Sequence, residues 1–148
     1  MITTMPDIEL KAELQELIEI TNNWISDVGY FSQDLKSLKR ILASLQGQPG
    51  RLANVDFTSI YSMIERLEQE NAWIEKDLCA FYYTLNSLFK KPSQTFHLTL
   101  IETQFELEGR MAQLLRSYGI LKNQVFSFRA SKTSEEGNYK LQSNERWI

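Results

Sequence analysis

The chain has 148 residues, 43% hydrophobic and 24% charged, the size and balance of one globular domain rather than a disordered tail or a two-domain enzyme. Its 16 basic residues against 19 acidic ones leave a net charge of -3, which argues against nucleic acid or an anionic membrane as a partner. The opening MITTMPDIEL lacks the basic and apolar regions of a secretory signal, no stretch approaches the roughly 20 apolar residues of a membrane span, and the lone Cys79 fits a reducing compartment, so a cytoplasmic location is expected.

Along the chain, apolar residues recur at alternating spacings of three and four. The first tract runs from Leu10 through Leu14, Leu17, Thr21, Trp24, Val28, Phe31, Leu35, Leu38 and Leu42 to Leu45, with Thr21 its one polar member. Thr4, Pro6 and Asp7 resemble a capped helix start, and the Gly-Gln-Pro-Gly run at 47–50 ends the tract. The second tract, from Phe57 through Ile60, Ile64, Leu67, Asn71, Ile74, Leu78, Phe81 and Leu85 to Leu88, has Asn71 as its exception and Asn54 or Asp56 as its cap. Lys90 and Lys91 suit a helix C-terminus, Pro92 breaks the pattern and Ser93 caps the third helix. The third tract, from Leu100 through Gln104, Leu107, Met111, Leu114, Tyr118, Leu121 and Val125 to Phe128, has Gln104 as its exception.

A strand turns alternate residues to opposite faces, so this spacing would bury no coherent face of a sheet and reads as helix throughout. The expected fold is all-α: an elongated antiparallel three-helix bundle with coiled-coil-like heptad packing, spanning residues 1–129, with helices at about 5–46, 55–90 and 94–129. Such helices are roughly 50 to 60 Å long, which makes the molecule a rod. From Ala130 the stripe stops, and residues 130–148 are expected as a flexible tail whose Trp147 and Ile148 are candidates for docking on the bundle or a partner. Aligning the helices by their turns brings Thr21 to the level of Gln104, where the two can satisfy one another, and leaves Asn71 with no obvious partner.

Asn-Asn-Trp-Ile at 22–25 recurs as Asn-Ala-Trp-Ile at 71–74, but matching the residues beyond requires a one-residue shift, which rotates a helix by about 100° and favours coincidence over duplication. The pattern of Trp24, Ile25, Asp27, Val28, Tyr30, Phe31, Asp34 and Leu35 resembles the first helix of a group of small bacterial helical-bundle proteins, and the region of Tyr118, Leu121, Lys122 and Phe126 is similar to the last helix of that group. Gln33 stands where the group usually has an acid. The resemblance implies a helical bundle; because no activity is established for the group, it carries over no site residues.

Catalytic and metal chemistry find little to work with. One Cys and one His cannot build a structural zinc site, and a di-metal bundle needs inward acids with two Glu-Xaa-Xaa-His pairs that this chain lacks. Glu9, Glu13, Glu16 and Glu19 lie off the apolar stripe and suit the dipole and solubility of the first helix. His97 sits near the start of the third stripe with Met111 about four turns away, too far to share one haem or metal. Cys79 has no histidine in its helical neighbourhood, Ser59, Ser62 and Ser87 have no base, and the glycines form no phosphate loop. No catalytic residue, cofactor or metal is therefore expected, and the chain reads as a non-enzyme.

Apolar residues outside the stripes are more informative. Ala72, Trp73, Cys79, Ala80 and Tyr83 form a second line on the second helix, and Leu98, Ile101, Phe105, Ala112 and Leu115 one on the third. Folding about Pro92 levels Tyr83 with Ile101, Cys79 with Phe105 and Ala72 with Ala112, so the two lines can share one face, either widening the packing between the two helices or forming an exposed apolar patch. That face is the candidate contact surface for a protein partner or a second copy, and an interaction, adaptor or scaffold module is the expected function. The alternative is a carrier of an apolar small molecule or lipid within an openable bundle, with Met111 and the aromatics lining an adaptable cavity.

Overall fold

The computed structural model describes residues 4–46, 54–91 and 97–145, with side chains described within 8–45, 57–91 and 98–130. The chain is an all-α three-helix bundle: α1 spans Thr4–Gln46, α2 Asn54–Lys90 and α3 His97–Glu145. The starts and ends of α1 and α2 fall within one residue of those read from the stripes. The expected breaks at 47–50 and at Pro92 and Ser93 lie outside the described residues, as do Trp147 and Ile148.

The third helix departs from expectation. It continues to Glu145, so the backbone of residues 130–145 is helical where a tail was expected. An existing helix lengthens by one hydrogen bond per residue fixed and bears no new nucleation cost, so a proline-free stretch can continue it without an apolar face. Loss of the stripe at Ala130 marks the end of core-type patterning rather than the end of the helix.

The three helices assemble two compact units, Met1–Ser32 with Gln69–Leu115 and Gln33–Glu68 with Arg116–Ile148. In the first, Leu10, Leu14, Ile18 and Val28 of α1 are buried, as are Ile74, Leu78, Phe81 and Leu85 of α2 and Leu100, Leu107, Met111 and Leu114 of α3. Direction follows from what touches. Lys11 lies 5.7 Å over the Phe89 ring while Asn71 bonds the Val28 carbonyl, so α2 runs against α1. Arg110 bonds Asp77 while Ala80 and Thr84 share a groove with Thr99 and Thr103, so α3 runs against α2 and with α1. Each fully buried leucine contributes roughly 1.5 to 3 kcal/mol of burial free energy, which is what holds the helices together.

The second unit buries Leu35, Leu38, Leu42 and Leu45 of α1, Ile60, Ile64 and Leu67 of α2, and Tyr118, Leu121, Val125 and Phe128 of α3. Lys39 crosses from α1 to α2, bonding Glu68 at 3.2 Å and lying 5.2 Å over the Tyr61 ring. The hydrogen bond to Glu68 holds the Lys39 ammonium above its ordinary pKa, so it stays charged further into alkaline solution.

Two polar residues on the stripes donate to backbone carbonyls. Thr21, buried in the seam, gives its one hydroxyl proton to the Leu17 carbonyl of its own helix at 2.7 Å. Gln104 is half-buried against α1. Asn71 does have a partner: its amide donates to the Val28 carbonyl across the α1–α2 seam at 3.1 Å. Ser37, Thr84, Ser87 and Thr103 bond carbonyls four residues back, so these hydroxyls sit inside helices without opening them.

The stripes also need one local adjustment. Ile18 is buried while its neighbour Leu17 is half-buried, and the rings of Trp24 and Phe31 sit at the seam edge rather than inside it.

Candidate functional site

On a helix, residues next to the buried stripe face one neighbouring helix or the other, and only those farthest from it face water. The candidate residues of α2 divide on this criterion. Trp73 is 57% exposed and borders a shallow groove of ≈ 240 Å³ with Glu70, Ile74, Arg110, Gln113 and Leu114. Ala80 is exposed and borders a second groove, ≈ 340 Å³, whose other wall includes Thr99, Thr103 and Arg110. Both therefore flank α3. Ala72, Cys79 and Tyr83 are exposed as well, Tyr83 to 76%.

The candidate residues of α3 point elsewhere. Thr99, Thr103, Glu106 and Arg110 form its wall toward α2. Ile101, half-buried, lies on the opposite side of the Leu100 and Leu107 seam, in a groove of ≈ 220 Å³ with Leu10, Leu14, Leu17 and Ile20 of α1. Leu98 precedes Ile101 by three residues and Phe105, Ala112 and Leu115 follow at steps of four, seven and three, with Leu98 and Phe105 turned farthest from the buried stripe. All four are exposed, Leu98 to 74%, Phe105 to 68% and Leu115 to 56%.

Trp73 and Ala80 thus flank α3 while Ile101 flanks α1. Folding about Pro92 sets the level of α3 against α2 but not the side of that hairpin on which α1 lies. Ile101 turns toward α1, and the wall from Thr99 to Arg110 faces α2.

The structure adds residues that sequence reading did not assign to the site. Glu13 and Glu16 line the α1–α3 groove beside the apolar row, and Glu9 precedes them by one turn on the same side of α1. Their spacing of four and three was legible, but the wall it builds depends on which neighbour α1 faces. Ile8, 64% exposed, stands near the same end.

Acidic side chains outnumber basic ones among the described residues near this groove. Residues 8–32 of α1 carry Lys11 as their single base, and residues 98–115 of α3 carry Arg110. Both are turned to α2, Lys11 over the Phe89 ring and Arg110 on Asp77 at 2.6 Å. Glu9 and Glu16 on α1 and Glu102 on α3 lie beside it, Glu13 is engaged in an interaction of its own, and Glu108 stands between Phe105 and Ala112 at the spacing of the apolar row itself.

Among the described residues, no three His, Cys, Asp or Glu side chains converge to hold a metal ion, and no helix is long and apolar enough to cross a membrane. The side chain of His97 lies outside those described. No known protein family, curated protein or solved structure matches the chain.

Proposed function

We propose that this chain is a non-catalytic interaction module, a scaffold or adaptor that works by binding another protein in the cytoplasm. The observation that carries the reading is the row of Leu98, Ile101, Phe105 and Leu115, three of them more than half exposed, on a helix that already buries a complete separate stripe. A helix needs one apolar face to join a bundle, and a second one exposed to water is costly unless something covers it. Leucine and phenylalanine at the spacing of helical turns supply the kind of apolar anchors that dominate protein interfaces. The lone exposed thiol of Cys79 fits a reducing compartment.

The test is native mass spectrometry of the chain purified from its own cells, beside its Phe105→Glu variant. The expected result is a second protein bound in fixed ratio to the parent and lost from the variant, with the helical circular dichroism of both the same. A small molecule adding mass to one chain, retained in the variant, overturns this reading in favour of a carrier.

A further inference from the structure

We infer that a second copy of this chain packs antiparallel along the outer side of α3, so that the acidic first part of that helix in each copy meets the basic second part in the other. The inference rests on the interaction reading above and makes the bound protein another copy of the chain. Every seventh residue of α3 from Leu98 to Phe126 is apolar or small: Leu98, Phe105, Ala112, Gly119 and Phe126. This set stands two residues before the buried set of Leu100, Leu107, Leu114, Leu121 and Phe128, a turn of about 200°, which puts it on the opposite side of the helix. Leu98, Phe105, Ala112 and Phe126 are exposed, and at Gly119 there is open space where a Cβ would stand. A stripe that recurs every seven residues keeps facing a second helix along its whole length. Its large side chains lie toward the two ends, while Ala112 and Gly119 in the middle let two backbones approach.

Charge chooses both the partner and its direction. Beside this stripe the charged residues before Ala112 are the acids Glu102 and Glu108, and those after it are bases, Arg116 and Lys122 first. Glu106 and Arg110 are turned to the α2 side. Lys122 is exposed and lies 5.9 Å over the ring of Tyr118, a contact that leaves its charge in place. The balance of each unit has the same signs. Among the described side chains, Met1–Ser32 with Gln69–Leu115 carries 11 acids against five bases, and Gln33–Glu68 with Arg116–Ile148 carries three acids against seven bases. Ion pairs within a unit do not alter that balance. Two parallel copies would set acid beside acid and base beside base; two antiparallel copies set each acidic part level with a basic one, twice over by symmetry. The chain thus carries both halves of a complementary surface on one helix.

One helix per copy makes a small interface, so pairing is expected at concentrations on the order of 10 µM and above. The experiment is sedimentation velocity of the full chain across that range. The parent is expected to pass from monomer to dimer, and to do so less readily as salt is raised. Ala112→Glu should weaken the dimer by at least about tenfold with helical circular dichroism unchanged. Two charge-reversed chains give the sharper test, one carrying Glu102→Lys with Glu108→Lys and the other Arg116→Glu with Lys122→Glu. Each should pair at least about tenfold more weakly than the parent when alone, and a mixture of the two should restore the dimer. A parent that stays monomeric, a dimer indifferent to Ala112→Glu, or a mixture no better paired than its components overturns the inference. If in that case a foreign protein is held by the parent and lost from Phe105→Glu, the interaction reading stands and only the second copy is refuted.

Discussion

At the scale of single residues, Asn71 shows how a polar side chain lives in an apolar seam. Its amide donates to the Val28 carbonyl, but its own carbonyl oxygen is buried with no hydrogen-bond partner. A mid-helix carbonyl has a second lone pair and is already bonded within its helix, so losing the Asn71 amide strands nothing on α1. Leucine at this position removes an unsatisfied acceptor and adds apolar burial, so Asn71→Leu should stabilise the protein by about 1 kcal/mol in a urea melt. Destabilisation of that size would mean that Asn71 is fully bonded in solution. The expected gain also suggests what the asparagine does: it ties one turn of α2 to one turn of α1, trading stability for register. That bond was illegible in the sequence because its acceptor is a backbone carbonyl, which every residue carries. The Thr21 bond to Leu17 was hidden in the same way.

At the scale of the elements, the helices follow directly from apolar spacing, and their seams are the stripes read from it. Leu14, Val28, Leu78, Leu85, Leu121 and Val125 all stand on those stripes and are all essentially inaccessible to solvent. Spacing reports burial reliably because a heptad position keeps its angle to the bundle axis along the whole helix. It is silent about the positions beside the stripe, since these face left or right depending on the handedness of the three-helix arrangement. That is why Ile101, level with Tyr83 when the chain folds about Pro92, turns out to border α1. It also says nothing about a helix that continues without a stripe, as α3 does beyond Ala130. Glycine gives this scale its prediction. Gly109 lies within α3 with open space where a Cβ would stand, so Gly109→Ala should raise stability by roughly 0.5 to 1 kcal/mol through helix propensity alone. A loss of stability in the melt would show that something approaches α3 there.

At the scale of the whole molecule, apolar residues fall into two populations, those that make the fold and those the fold leaves outside. Leu107 and Phe105, two positions apart on α3, represent them: Leu107 is buried in the seam and Phe105 is 68% exposed. The functional reading requires that Phe105 contribute almost nothing to folding, because a residue already committed to the core is not free to bind. The direct measurement is urea unfolding of Leu107→Ala beside Phe105→Ala. Leu107→Ala should cost about 2 to 5 kcal/mol, from lost burial and the cavity left behind, whereas Phe105→Ala should fall within about 0.5 kcal/mol of the parent. A cost for Phe105→Ala matching that of Leu107→Ala would place its ring inside the folded core and contradict the account of an apolar row held open for a partner.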